Sequence, residues 1–350
     1  METQALPILR PLRLGELLDR AIRLYRGNFL TFIGIIAVVY VPLMVLQTAA
    51  SALLSSSTLN GFSTPDELFT NYAYWGGLLS IFILWLVQFV LVQGIATGAL
   101  TRAVADNYLG KKTGILDAYR GISSSWLTLV GALLFLGIIL FGLGLWSIVP
   151  CIGTFTGPGM MVFLLVAINP LVPPAVVLEK QGVIEAVRRA WSLTRRRFWP
   201  VLGYVFILTL FSWIVVNGPA AIASMLLAQV SQSFGDLATR LVLTSVIQGL
   251  VQIVFVLIYL PLQLTAYTLI YFDLRVRTEG FDLAVLTMET SGSTELAEAM
   301  AVPVPPVNER LITGPELGNF AILTLAGVGL YIFFVSFLMG SAFFFTSLFR

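Results

Sequence analysis

Two rows of uncharged polar side chains interrupt long apolar stretches of this sequence. Gln93, Thr97 and Thr101 recur every four residues, as do Thr244, Gln248 and Gln252, with Gln263 further along the same run. Residues four apart share one face of an α-helix. Gln88 and Asn169 lie deep in other apolar runs. Amides and hydroxyls so placed do hydrogen-bond chemistry. They either bond helix to helix or line a polar cavity for a solute or lipid headgroup. Charged residues in such surroundings mark functional sites by default, and few qualify. Arg102 with Asp106, and Asp273 with Arg275, stand at the ends of apolar runs. They read as helix-end ion pairs, or as a gate or headgroup site.

Positive charge is concentrated at Arg188, Arg189, Arg195, Arg196 and Arg197. A nucleic-acid site, an anion site and a membrane boundary would each use such a cluster. Trp191, Phe198 and Trp199 supply the aromatics that nucleic-acid binding favours, but a net charge of only +2 argues against a broad nucleic-acid footprint. An arginine at the centre of a bilayer costs roughly 2.5–3.5 kcal/mol on the insertion scale. The segment 182–197 therefore cannot span a membrane and must lie on its face, where anionic lipid headgroups are the expected partners.

The same inventory excludes much catalysis. The chain has no histidine, so it can build neither a Ser-His-Asp triad nor a His-ligated metal site. The G-x-G-D motif of paired-aspartate intramembrane proteases is absent, and no buried serine pairs with a basic partner. No cofactor or metal is expected. The single Cys151 cannot form an internal disulfide and leaves the redox compartment open.

Long apolar elements must position these groups. The chain is 58% hydrophobic and 11% charged, against about 25% charged in soluble domains. Charge is missing from 27–65, 68–101, 121–178, 198–235, 241–272 and 317–349. Each run exceeds the ~20 residues that cross a bilayer as a helix. None alternates as a membrane strand would. A Pro/Gly-rich break, PCIGTFTGPG at 150–159, divides the longest run in two. The expectation is an all-α polytopic bundle of about seven spans: 29–54, 75–103, 126–149, 158–178, 199–228, 241–272 and 319–347. The first apolar run is too long for a signal peptide.

Of the 20 basic residues, all but Arg240 and Arg350 fall on one side of that alternating topology. Positive residues mark the cytoplasmic side, so the N-terminus is expected inside and the C-terminus outside. The stretch 16–34 aligns with 185–203 at a constant offset. Glu16, Arg20, Ala21, Leu24, Arg26, Phe29 and Gly34 match Glu185, Arg189, Ala190, Leu193, Arg195, Phe198 and Gly203. A weaker copy begins at Asp117. Both strong copies are amphipathic at helical period, with Arg20, Arg23 and Arg26 in the first and the five clustered arginines in the second. Such helices lie in the membrane interface with arginines toward headgroups. Residues 1–285 then read as a six-span core of three units, about 10–110, 111–180 and 181–285. Each unit is an interfacial helix followed by a hairpin of spans. A polar linker over 286–317 and a seventh span over 318–350 follow.

Three segments, RPLRLGELLDRAIRLYRGNFLTFIG (10–34), VVLEKQGVIEAVRRAWSLTRRRFWPVLG (176–203) and LIYFDLRVRTEGFDL (269–283), together resemble the membrane domain found in some glycerophosphodiester phosphodiesterases and in stand-alone bacterial proteins. The resemblance covers roughly residues 7–285. It implies the six-span fold and a bacterial plasma membrane. It does not imply phosphodiesterase activity, which in the fused proteins belongs to a separate barrel with histidines that this chain lacks. The function expected is non-catalytic: transport or handling of a small or lipid-related molecule. The alternative is a scaffold that recruits a protein partner through its basic face.

Overall fold

In a computed structural model, which describes residues 10–58, 72–230, 237–283 and 314–348, the chain is helical and no strand occurs among those residues. Helices α1 (Leu14–Gly27) and α2 (Phe29–Thr58) open the fold. Helix α3 (Tyr72–Gln88) continues through a π-helical segment, Phe89–Ala96, into α4 (Thr97–Tyr108). Next come α5 (Ile115–Gly121) and α6 (Trp126–Trp146). Helix α7 (Ile152–Phe163) passes through a π turn, Leu164–Ile168, and a 3-10 turn, Asn169–Leu171, into α8 (Val172–Glu179). Then follow α9 (Val183–Arg195), α10 (Phe198–Val230), α11 (Leu237–Glu279) and α12 (Gly314–Leu348). The order of one short helix and then two long rods thus runs three times before α12.

Six stretches of 21 to 37 residues are long and apolar enough to cross a membrane: Phe29–Ser51, Trp75–Tyr108, Trp126–Trp146, Ile152–Glu179, Phe198–Leu227 and Leu243–Glu279. Their outer surfaces expose large apolar side chains such as Phe82, Ile138, Phe141, Ile207 and Trp213, as a multi-pass membrane protein requires. The seventh expected span coincides with the 35-residue α12. Most of the expected linker, residues 286–313, lies outside the described residues.

Two rods run past the ends expected for them, to 108 and 279 instead of 103 and 272. The expectation stopped each span near its first charges. The helices continue because those charges are paired one turn apart: Arg102 with Asp106 at 3.2 Å, Arg277 with Asp273 at 2.7 Å, and Arg275 with Glu279 at 3.2 Å. The fourth rod starts earlier than expected, at Ile152, because only the turn before it breaks the chain. Cys151 sits there at φ 64°, ψ −73°, and the Ile152 N–H bonds the Pro150 carbonyl at 2.9 Å in a γ-turn.

The interior is built from α4 and α8. Val172 through Leu178 are buried at every position, and Ala96, Ala99 and Ala103 are fully buried. Small residues allow the close helix approach on which membrane packing depends. The short helices also pack inward. On α9 the expected apolar stripe, with Val187, Ala190, Trp191 and Thr194, is buried against the bundle and not turned to lipid. On α1 Leu17, Ala21 and Tyr25 are buried, while Leu14 and Leu18 stay exposed. The Tyr25 hydroxyl donates to the Ile258 carbonyl at 2.7 Å, within the turn of α11 that Pro261 interrupts. Burial pushes its pKa up to about 12, so it remains a donor at neutral pH.

Helix α12 docks on α7 and α9. Arg195 pairs with Glu316 at 2.8 Å, and the Gly159 N–H donates to Thr324 Oγ1 at 2.9 Å. Phe320 packs among Phe163, Trp191 and Phe198. A Cβ on Gly159 would come within 1.9 Å of the Phe320 carbonyl oxygen, so only glycine admits this approach. Gly159→Leu is expected to undock α12. With a protease site placed in 290–309, the cleaved C-terminal fragment should co-purify with the wild-type core and be lost from the variant. Equal retention would show that this contact does not hold the helix.

Candidate functional site

A cavity of about 940 Å³ opens between α2, α3, α6, α7 and α11, within the upper part of the size range of small-molecule sites. Trp85, Leu134, Ile138 and Phe141 border it and are themselves exposed on the outside of the bundle. The opening therefore faces sideways, where lipid lies. Five polar side chains reach into this apolar frame: Tyr40, Gln47, Gln88, Gln93 and Asn169. Their carriers place them well inside the spans.

Irregular helix brings three of them together. Five residues apart on an α-helix, Gln88 and Gln93 would point ~140° apart. The π-helical segment Phe89–Ala96 closes its hydrogen bonds over five residues, which swings the two amides onto one side. Opposite them, Asn169 stands where the π turn of the fourth rod tightens into a 3-10 turn. Pro170, Pro173 and Pro174 lack the N–H groups that a regular helix would use there. Gly94 lets α6 close the wall, since a Cβ on it would meet the Val130 side chain at 2.5 Å. Among the described residues, the amides of Gln47, Gln88, Gln93 and Asn169 and the Tyr40 hydroxyl make no hydrogen bond. Their polar atoms are thus free to hydrogen-bond within the cavity.

Of the residues expected to line a cavity, Gln88, Gln93 and Asn169 do so. Thr97, Thr244, Gln248, Gln252 and Gln263 do not line it. Thr97 Oγ1 donates to the Val92 carbonyl at 2.9 Å and closes the π segment, and Thr244 Oγ1 donates to the Arg240 carbonyl at 2.8 Å. Gln263 donates to the Tyr267 hydroxyl at 2.6 Å, which also meets Thr209 Oγ1 at 3.2 Å. Gln248 and Gln252 flank a stretch of α11 pressed on α2, where a Cβ on Gly249 would meet Thr48 Oγ1 at 2.6 Å. A strict helical period grouped these residues; the π segment and the packing of α11 regroup them. Gln47 and Tyr40 were not singled out in the sequence; they reach the cavity because α2 lies beside α3.

The charged residues form a buried cluster, a clamp, separate ion pairs and an exposed group. Glu179, at the end of α8, meets Arg189 of α9 and Arg275 and Glu279 of α11 in one buried cluster. Arg189 grips Glu179 at 2.8 and 3.0 Å and both carboxylate oxygens of Glu279, while Arg275 reaches Glu179 and Glu279 at 3.2 Å each. The Tyr271 hydroxyl donates to Glu179 at 2.5 Å. Side-chain exposure is 1% for Arg275, 3% for Glu179, 6% for Arg189 and 13% for Glu279. Arg189 was expected at headgroups, and Arg275 in an ion pair with Asp273 or at a headgroup; the structure corrects both, since Arg189 and Arg275 are buried and Arg275 pairs with Glu179 and Glu279 while Asp273 pairs with Arg277. Ala186 and Leu193, three before and four after Arg189, are buried, so Arg189 lies on the inner face of α9. Burial opposes its charge, but the Glu279 and Glu179 carboxylates outweigh burial and raise its pKa above the usual arginine value.

Asp273 is a clamp. Its Oδ1 accepts from the Leu12 N–H at 2.8 Å, its Oδ2 accepts from Arg277 Nε at 2.7 Å, and Arg277 donates to the Leu12 carbonyl at 2.5 Å. The segment before α1 is thereby pinned to α11. Arg102 pairs with Asp106, and Arg20 lies 4.9 Å over the Tyr108 ring. Arg195 pairs with Glu316. Arg23, Arg26, Arg188, Arg196 and Arg197 are exposed.

Removing one member of the buried cluster strands the opposite charge. Glu179→Ala is expected to cost about 3–5 kcal/mol, while Arg196→Ala, on the exposed face, should stay within about 0.5 kcal/mol. Thermal unfolding in mild detergent, followed by tryptophan fluorescence, measures both. Equal midpoints for the two variants would remove the cluster as a stabilising element.

No curated protein and no solved structure matches the chain. Residues 67–274 match the family described as Domain of unknown function (DUF7847). That region runs from the second rod into the sixth, with Gln88, Gln93 and Asn169 of the cavity and Glu179 and Arg189 of the cluster, while Arg275 and Glu279 lie just past its end. It covers more than half of the chain, and the protein is a member of that family.

Proposed function

We propose that this is a non-catalytic protein of a bacterial plasma membrane that binds and handles, by transport or by presentation, a small lipid-related molecule in the lateral cavity. The observation that carries the reading is the set of five polar groups without hydrogen-bond partners around one space of about 940 Å³. An apolar frame with a few convergent polar groups is the usual form of a ligand site. The sideways opening favours a guest that arrives from the bilayer, with polar atoms at the amides and an apolar part against Trp85 and Phe141. The excess of Lys and Arg on one side supports a cytoplasmic N-terminus and an outer C-terminus. On that orientation the exposed Arg23, Arg26, Arg188 and Arg196 face anionic headgroups. Nucleic acid has no part in this reading. The same exposed arginines favour a second reading, a scaffold whose basic face recruits an acidic protein partner.

Native mass spectrometry of the protein released gently from its own membrane tests this. A stoichiometric small amphiphile is expected. In a Gln88→Leu, Gln93→Leu double variant it should fall by about tenfold, the value of one or two lost hydrogen bonds, with the unfolding midpoint unchanged. A bare chain, or equal retention by the variant, would sink the proposal. A bound polypeptide lost on Arg188→Gln and Arg196→Gln would install the scaffold.

A further inference from the structure

A second cavity, of about 300 Å³, lies at the end of the bundle that carries the short helices. Its floor is apolar and includes Leu17, Pro200, Val201 and Ile270. Its charged lining is Arg13, Arg197 and Arg277 against a single acid, Asp273. Both Asp273 oxygens are already taken, one by the Leu12 N–H and one by Arg277 Nε. Glu16, on the first turn of α1, is turned to Arg10 and to the Arg13 N–H. The cavity therefore carries positive charge that the lining itself does not neutralise. Arg197 is exposed and makes no salt bridge among the described residues. Leu14, another lining residue, is exposed, as is Trp199 between Arg197 and Pro200, so the apolar floor leads onto an oily surface.

We propose that this cavity binds the headgroup end of an anionic phospholipid. The phosphate sits among Arg13, Arg197 and Arg277, and the start of an acyl chain lies on the floor. The argument is charge complementarity at a membrane edge. Guanidinium groups suit phosphate oxygens through charge-assisted hydrogen bonds, and an apolar floor beneath them suits a ligand that is charged at one end only. The occupied site would also tie three elements together: the segment before α1, the start of α10 and the end of α11 all contribute lining residues. Bound lipid should therefore reinforce the Leu12–Asp273–Arg277 clamp. The inference shares with the proposed function only its placement in a membrane. It does not depend on what fills the lateral cavity.

The test uses the full chain in mild detergent, delipidated and titrated by native mass spectrometry with phosphatidylglycerol, phosphatidylcholine and glycerol phosphate. Phosphatidylglycerol should bind at least about tenfold more tightly than phosphatidylcholine, and Arg197→Gln should remove about that factor. Arg120→Gln changes an exposed arginine of α5 outside the cavity and should leave affinity within about twofold. The Gln88→Leu, Gln93→Leu variant should bind phosphatidylglycerol here as the wild type does, which separates failure at this site from failure of the lateral cavity. Glycerol phosphate should compete only weakly, since it lacks the chains that the floor receives. Equal losses in Arg120→Gln and Arg197→Gln would reduce the effect to general surface charge and overturn the site. Competition by glycerol phosphate as strong as by the lipid would overturn the lipid and assign the site to a soluble phosphoryl compound.

Discussion

Four charges sit out of water at one end of this bundle, and the arrangement of the rods depends on their being paired. Glu179 ends the fourth rod, Arg189 belongs to the surface helix that follows, and Arg275 and Glu279 belong to the sixth. Each is so little exposed that losing its partners would leave an uncompensated charge, a cost of about 3–5 kcal/mol. A buried ion cluster is weak evidence for net stability, because well-packed apolar residues can do as well. Its value here is positional. Bidentate arginine–carboxylate geometry accepts only a narrow range of placements, so it sets the depth of α8 against α11 and holds α9 flat against both. The Asp273 clamp on Leu12 does the same for the segment that leads into α1. Together the two fix one end of the bundle.

With that end fixed, the middle is free to be irregular. Both rods that border the lateral cavity on its polar side depart from α-helix there, one through a π segment and one through a π turn followed by a 3-10 turn. Irregular backbone at membrane depth is tolerated only where it is buried in protein or lines a cavity. The second rod departs with no proline in the irregular segment. The Thr97 hydroxyl satisfies the Val92 carbonyl, and Gly94 lets Val130 approach. The deformation turns Gln88 and Gln93 to one side. Positional rigidity at the charged end and local widening at mid-depth are thus complementary features of one fold.

Helix α12 stands outside the matched family region yet packs into the protein through the Gly159–Phe320 contact, an aromatic group and the Arg195–Glu316 pair. It uses an arginine of the basic cluster that could otherwise meet lipid. The five clustered arginines therefore serve different ends. Arg189 is internal, Arg195 holds α12, Arg197 lines the smaller cavity, and Arg188 and Arg196 remain on the surface.

The residues alone determined the class of the protein. Long charge-free runs can only be buried or lipid-facing helix, and clustered arginines cannot cross a bilayer, so the long rods and the surface helices were legible from composition and charge spacing. Amphipathic period made two of the three short helices, α1 and α9, legible too. Which polar groups share a space was not legible. Gln88 and Gln93 meet because of a π segment that no residue type announces, and Tyr40 and Gln47 join them only when α2 is laid beside α3. Nor could spacing show that Arg189 faces inward. On sequence it is one arginine among five, and its role depends on carboxylates ten residues before it and ninety after it in the chain. Periodicity describes one helix at a time. Pairing across helices is decided by where the rods come to lie, and that is a property of the packed bundle.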